Sequence, residues 1–273
     1  MKLLLCRHLW GVDLSKGLQA AAAGWRATGY EAVEASIRHV PDREAFRRFL
    51  REGGWGWVAG AYTDMFENGG SVARHLASLR EQIEEVVEDR PLLINSHSGC
   101  DHWSAAQAED FFGGALELEK EFGVVLTHET HRRRFLATPW AAEAVLAKFP
   151  ELKLTADLSH WVCVCERLLE DFGPLIERVV RQTWHVHGRV GHEHGPQVPD
   201  PRAPEWATQL RAHEAWWDAI WAAQRARGQA LSTFTPEFGP PNYLWTQPHT
   251  REPLADLAAV CDWMAERTRG RFG

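Results

Sequence analysis

Residues 152–190, "LKLTADLSHWVCVCERLLEDFGPLIERVVRQTWHVHGRV", decide the fold. The stretch opens on a short run of Leu, Thr and Ala (152–160) and closes on a second run built on Thr, Val and Trp (183–190). Between them, 165–182 places apolar residues at helical spacing, with a break expected at Gly173-Pro174. Strand, helix, strand in one stretch reads as a parallel βαβ unit.

The same unit recurs on both sides. Strands are predicted at 2–8, 30–36, 57–63, 91–99, 124–130, 152–160, 183–190 and 231–239. Helices are predicted at 14–29, 41–54, 71–89, 102–123, 139–150, 165–182, 204–228 and 251–270. Strict alternation implies an α/β chain whose parallel sheet is covered by helices. Eight units in 273 residues match a single-domain (β/α)8 TIM barrel over 1–273. An open doubly wound sheet would usually carry a glycine-rich phosphate loop after its first strand. Here that strand runs into "RHLWGVD" (7–13), with neither GxGxxG nor GxxxxGK[ST]. A Pro-rich loop, 191–204, lies inside the seventh unit and is expected to be stiff and extended.

A net charge of −7 argues against a nucleic-acid partner, although "HRRR" (131–134) forms one basic patch. The apolar run in "MKLLLCRHLW" (1–10) is too short for a signal peptide, and no window suits a membrane span. Five cysteines without a regular framework are expected as reduced thiols in a cytoplasmic protein.

In a barrel the C-terminal strand ends share one mouth, where catalytic residues gather. The fifth strand ends at His128-Glu129 and the sixth at Asp157, with His160 just beyond. The seventh carries His185 and His187, and the eighth ends at Glu237. Several recessed carboxylates repel one another unless a cation joins them. Mixed carboxylate and imidazole donors suit one divalent metal ion, Mn, Mg, Co or Zn. Side chains two apart on a strand share a face, so His185 and His187 point the same way. His192 and His194, past the strand, read as solvated loop residues, as a lid or as ligands of a second metal.

With these residues in place, the chain resembles the xylose isomerase-like TIM barrels. "THETH" (127–131), "DLSHW" (157–161), "HVH" (185–187) and "TPEFGP" (235–240) carry the resemblance, which runs from the first strand to the eighth. It implies Glu129, Asp157, His187 and Glu237 as metal ligands, with His185 touching substrate and His160 either touching substrate or supporting a ligand from behind; the roles of His185 and His187 could be exchanged. It also implies proton transfer through an enediolate, with Glu129 and Glu237 as catalytic groups, in a sugar isomerase or epimerase. Further substrate contacts are expected from Arg189, His97, Trp10 and Trp103, with His8, Glu34, Tyr62, Trp161, Tyr243 and Trp245 also near strand ends.

The same superfamily contains endonuclease IV, so a multi-zinc phosphoesterase is the alternative. Against it, "GAYTD" (60–64) at the third strand end lacks the histidine of that pattern. A carbohydrate-binding barrel without catalysis would be expected to have lost its ligands, and all four are present. The partner expected is a sugar-like small molecule, and the 191–206 stretch could serve a homo-oligomer contact or a specialised substrate.

Overall fold

The computed structural model describes residues 1–63 and 69–272; Asp64, the last residue of the "GAYTD" stretch, lies outside them. Eight strands pair in parallel and close on themselves in chain order. They are β1 (Lys2–His8), β2 (Tyr30–Ala35), β3 (Gly56–Tyr62), β4 (Leu93–His97), β5 (Leu126–Glu129), β6 (Lys153–Ala156), β7 (Thr183–His187) and β8 (Leu231–Thr235). Around them stand α1 (Leu18–Ala21), α2 (Trp25–Thr28), α3 (Arg43–Gly53), α4 (Val72–Glu84), α5 (Ala105–Phe122) and α6 (Pro139–Lys148). The ring continues with α7 (Leu158–Cys165), α8 (Gly173–Gln182), α9 (Ala207–Ala226) and α10 (Leu257–Phe272). The expected (β/α)8 barrel is therefore the fold.

Local chemistry sets most boundaries. Asp42 caps α3 by accepting the Ala45 N–H, and Gly54 ends it at φ 61°. Ser104 and Gln107 form a reciprocal capping box at the start of α5. That helix holds together through Gly113 and Gly114 because Phe111, Phe112 and Ala115 anchor it in the core.

Three elements differ from the sequence expectation. The helix at 14–29 breaks into two single turns around a tighter turn at Ala22–Gly24, and only Ala22 and Trp25 of it are buried. The sixth strand stops at Ala156 because Asp157 turns its carboxylate onto the Ser159 N–H and starts α7. Gly173-Pro174 begins α8 instead of breaking a helix, since proline is tolerated in a first turn.

Alternation sorts the strand residues. Leu5, Val33, Ala59, Ile94, Leu126, Val186 and Phe234 face the helices and form the main apolar layer. Leu4, Cys6, Ala32, Val58 and Leu93 form a separate cluster inside the barrel. Polar residues also fill the interior, held by pairs such as Thr127 to Thr155 (2.8 Å) and His185 to Thr233 (2.7 Å). The 191–204 loop doubles back and is not extended. Val198 donates its N–H to Val190, Gln197 exchanges two hydrogen bonds with Gly239, and the Gly191 N–H donates to His213 of α9.

Candidate metal centre

Glu129 is the last residue of β5, Asp157 follows β6, His187 ends β7 and Glu237 lies two residues past β8. The β6–β7 register pairs Thr155 with His185, so the residues two further on, Asp157 and His187, rise to one level. All four side chains are buried, and each offers a donor atom within 4.8 Å of the others.

Their free atoms converge. Among the described residues, buried Glu129 Oε1 and His187 Nδ1 make no directed hydrogen bond, and Glu237 Oε2 faces them from its ion pair with Arg189. Yet His187 Nδ1 lies 2.9 Å from Glu237 Oε2 and 3.5 Å from Glu129 Oε1. Buried polar atoms left unpaired are costly, and lone pairs converging at this range are the arrangement a cation satisfies. The donor set of carboxylate oxygens and one imidazole fits a divalent ion.

The opposite atoms are all engaged. His187 Nε2 meets Glu34 Oε1 at 2.9 Å, which orients the ring and leaves Nδ1 for the centre. Asn95 donates to Glu129 Oε2 at 3.0 Å, and His97 Nε2 lies 2.8 Å from the same oxygen. Asp157 is the most committed. Its Oδ1 accepts from the Ser159 N–H and hydroxyl, and its Oδ2 pairs with Arg189, whose guanidinium also reaches Glu237 Oε2 at 3.0 Å.

Charge follows this geometry. Burial alone would raise the Glu237 carboxyl, but His187 and Arg189 pull it down to about 2. Glu129 is likewise buried, yet His97 and His187 hold it well below the usual carboxylate range. Burial raises Asp157 to about 6 against the opposing pull of Arg189. Burial opposes a charge on His187, but Glu237, Glu34 and Glu129 overcome it and raise the imidazole well above its ordinary value. Four carboxylates surround this point, and Arg189 together with a proton on His187 offsets them only in part.

The strand ends open into a cavity of about 700 Å³. Glu237, Arg189, His97 and Trp10 line it, together with His8 and Tyr62. The Arg189 Nη1 is buried without a partner among the described residues.

The described residues match, in fold, a group of known structures. A xylose isomerase-like TIM barrel protein from Mycobacterium smegmatis, solved with magnesium, superposes with a TM-score of 0.62 at 14% identity, covering 98% of this chain and 96% of that one. A 3-keto-D-glucoside 4-epimerase from E. coli gives 0.60 at 12% identity, covering 98% and 100%. An AP endonuclease of family 2 from Brucella melitensis gives 0.60 at 12% identity, covering 96% and 98%. The chain has the fold of the xylose isomerase-like TIM barrels. No protein-family model and no curated protein matches the sequence.

Within that fold, three expected substrate contacts stand elsewhere. His185 points into the barrel as expected, but a strand climbs about 3.3 Å per residue, so it sits below His187. It is fully buried, with Nδ1 on Thr233 and Nε2 on Glu34, and does not reach the cavity. His160 is also fully buried; its Nε2 accepts from Arg189 at 3.1 Å and its ring packs 4.0 Å from His131. Trp103 packs outside the barrel against His75 and Phe111. Trp161, likewise, is a core residue that donates to the Leu136 carbonyl. Of the loop histidines, His194 is exposed while His192 is buried beside Trp206 and Trp245.

Sequence reasoning gives Glu34 only a place near a strand end and misses Asn95. Yet Glu34 anchors both His185 and His187 and accepts the Thr235 hydroxyl. An acid on a strand that is otherwise buried is the available signal.

Proposed function

We propose that the chain is a divalent-metal-dependent isomerase or epimerase of a sugar or related hydroxy-carbonyl compound. The observation that carries this reading is the convergence of buried donor atoms of Glu129, Asp157, His187 and Glu237 beside the cavity. A divalent ion held there would polarise a substrate carbonyl and stabilise the oxyanion that develops on proton loss.

The chain's own residues supply the rest. Glu129 and Glu237 come from β5 and β8, different sides of the closed ring, and both are held ionised at neutral pH. Each is in the form that accepts a proton from carbon once its hold on the ion and on its cationic neighbours loosens, and the pair suits transfer between two positions or two faces. Arg189 offers its free Nη1 to a substrate oxygen, and Trp10 and Tyr62 give apolar walls. The five free thiols fit a reducing, cytoplasmic setting.

The test is solvent exchange. The protein loaded with Mn²⁺, Mg²⁺, Co²⁺ or Zn²⁺ is mixed in D₂O with a panel of aldoses, ketoses and their acids and phosphates. Deuterium should enter next to the carbonyl of at least one compound and stop on chelation. Glu129→Gln should keep metal and lower kcat by about a hundredfold or more. No exchange across the panel, or unchanged kcat in the variant, would contradict the reading.

A second reading is the multi-zinc phosphoesterase. It is favoured by His97, Glu129 and His131, which also bring donor atoms within 4.8 Å of one another. Metal analysis separates the two: about one ion per chain supports the isomerase, two or more with phosphodiester cleavage supports the phosphoesterase.

A further inference from the structure

The arginines of 131–134 divide into two kinds. Arg134 is structural: it is buried and donates to the Thr63 and Gly99 carbonyls. Arg132 and Arg133 line the cavity, and no carboxylate among the described residues pairs with either. Arginines elsewhere in this acidic chain are commonly matched, as Arg38 is by Glu85, Arg80 by Glu121 and Arg267 by Glu214.

The backbone holds the pair in place. The Arg134 N–H donates to the His131 carbonyl, closing a turn over 131–134, and Arg133 takes φ 65° at its third position. That is the geometry of a type II turn, where glycine is the usual occupant. A bulky side chain in the left-handed region at a cavity mouth is a strain that points to function. The turn is tied directly to the metal centre, since the His131 N–H donates to the Glu129 carbonyl at 2.8 Å.

Tyr243 links the two ends of the site. The guanidinium carbons of Arg132 and Arg189 each lie 4.9 Å from its ring centroid, so they are at most twice that distance apart. Arg189 touches the candidate metal ligands Asp157 and Glu237. Arg132 therefore stands within about 10 Å of Arg189, its fork unmatched by any carboxylate among the described residues.

We propose that the substrate is an anionic sugar, whose terminal carboxylate or phosphate is received by Arg132 and Arg133 while its hydroxy-carbonyl end meets the metal centre. An arginine fork matches the planar or tetrahedral oxyanion bidentately, and stacking on Tyr243 pre-orders it. The two residues set specificity and take no part in proton transfer. The proposal rests on the isomerase reading only for the substrate's other end.

The test reads binding, not turnover. Inorganic phosphate, acetate and, as a neutral control, glycerol are titrated calorimetrically into the Mn²⁺-loaded protein. At least one anion should bind, and glycerol should be about tenfold weaker or worse. Arg132→Gln should lose about tenfold or more in anion affinity while Mn²⁺ affinity stays unchanged, and Arg132→Lys should recover part of it. Arg133 is exposed, so Arg133→Gln folds regardless and should show a smaller loss in the same direction. Preference for phosphate assigns a sugar phosphate; equal or better acetate binding assigns a sugar acid. Anion affinity unchanged in both glutamine variants, or glycerol binding as tightly as the anions, overturns the proposal. Deuterium exchange on a neutral sugar leaves the isomerase reading intact in that event. Arginine-dependent anion binding without any exchange sinks that reading alone.

Discussion

Glu34 shows how a residue outside the candidate ligand set can orient one of its members. Its two oxygens meet the Nε2 atoms of His185 and His187, and that contact fixes which nitrogen of His187 faces the centre. Such partners of a ligating histidine typically govern metal affinity by 10- to 100-fold. Glu34→Gln should therefore weaken Mn²⁺ binding by about that factor without unfolding the protein, as read by titration calorimetry and circular dichroism. Unaltered affinity would show that His187 needs no such support. The four candidate ligands are legible in the sequence because each closes or follows a strand, where chemistry is expected. Glu34 and Asn95 are not, because depth along a barrel depends on register, and register is not written in any one strand. The same limit misplaces His185, which shares its neighbour's direction but sits a layer lower.

At the scale of elements, the junction of β7 with β8 leaves no room for change. A Cβ on Gly188 would lie 2.0 Å from the Phe234 ring. Gly188→Ala should destabilise by about 1–3 kcal/mol through overpacking, measured by urea unfolding. A variant as stable as the parent would mean that Phe234 can move aside. The next anchor is in α9, where His213 accepts the Gly191 N–H and bonds the Gln209 carbonyl. Burial lowers His213 to about 4. Unfolded histidine titrates near 6.5, so the native state binds fewer protons between those values. Its stabilisation is thus complete above about pH 6.5 and is lost as pH falls toward 4. His213→Gln should flatten the stability curve across that window, and an unchanged slope would assign the loss to other groups. Element boundaries are readable wherever caps are explicit, as at Asp42 and Ser104. They fail where one residue serves two elements. Asp157 both ends β6 and caps α7, and a run of Thr, Ala, Asp and Leu reads as continued strand.

Across the whole molecule, the barrel divides its interior by depth. Leu4, Val58 and Leu93 pack part of the interior, Thr127, Thr155 and His185 form a hydrogen-bonded middle, and the acids collect at the mouth. Helices on the outside carry most of the apolar burial, so the mouth can hold unfavourable charge that a small core could not tolerate. Strict alternation of strand and helix makes this architecture legible in the sequence. A metal that binds only the folded state should raise stability by about 2.7 kcal/mol at a hundredfold excess over its Kd. It should also displace the His187 proton, so affinity should rise with pH. Calorimetry in two buffers of different ionisation enthalpy measures that proton release, and none would mean that His187 stays protonated.

The most direct measurement is anomalous scattering from crystals of the protein grown with Mn²⁺. One strong peak is expected within bonding reach of Glu129, His187 Nδ1 and Glu237, with Asp157 turned toward it. Saturating metal with no peak there, or a peak that leaves those atoms unbound, would contradict it.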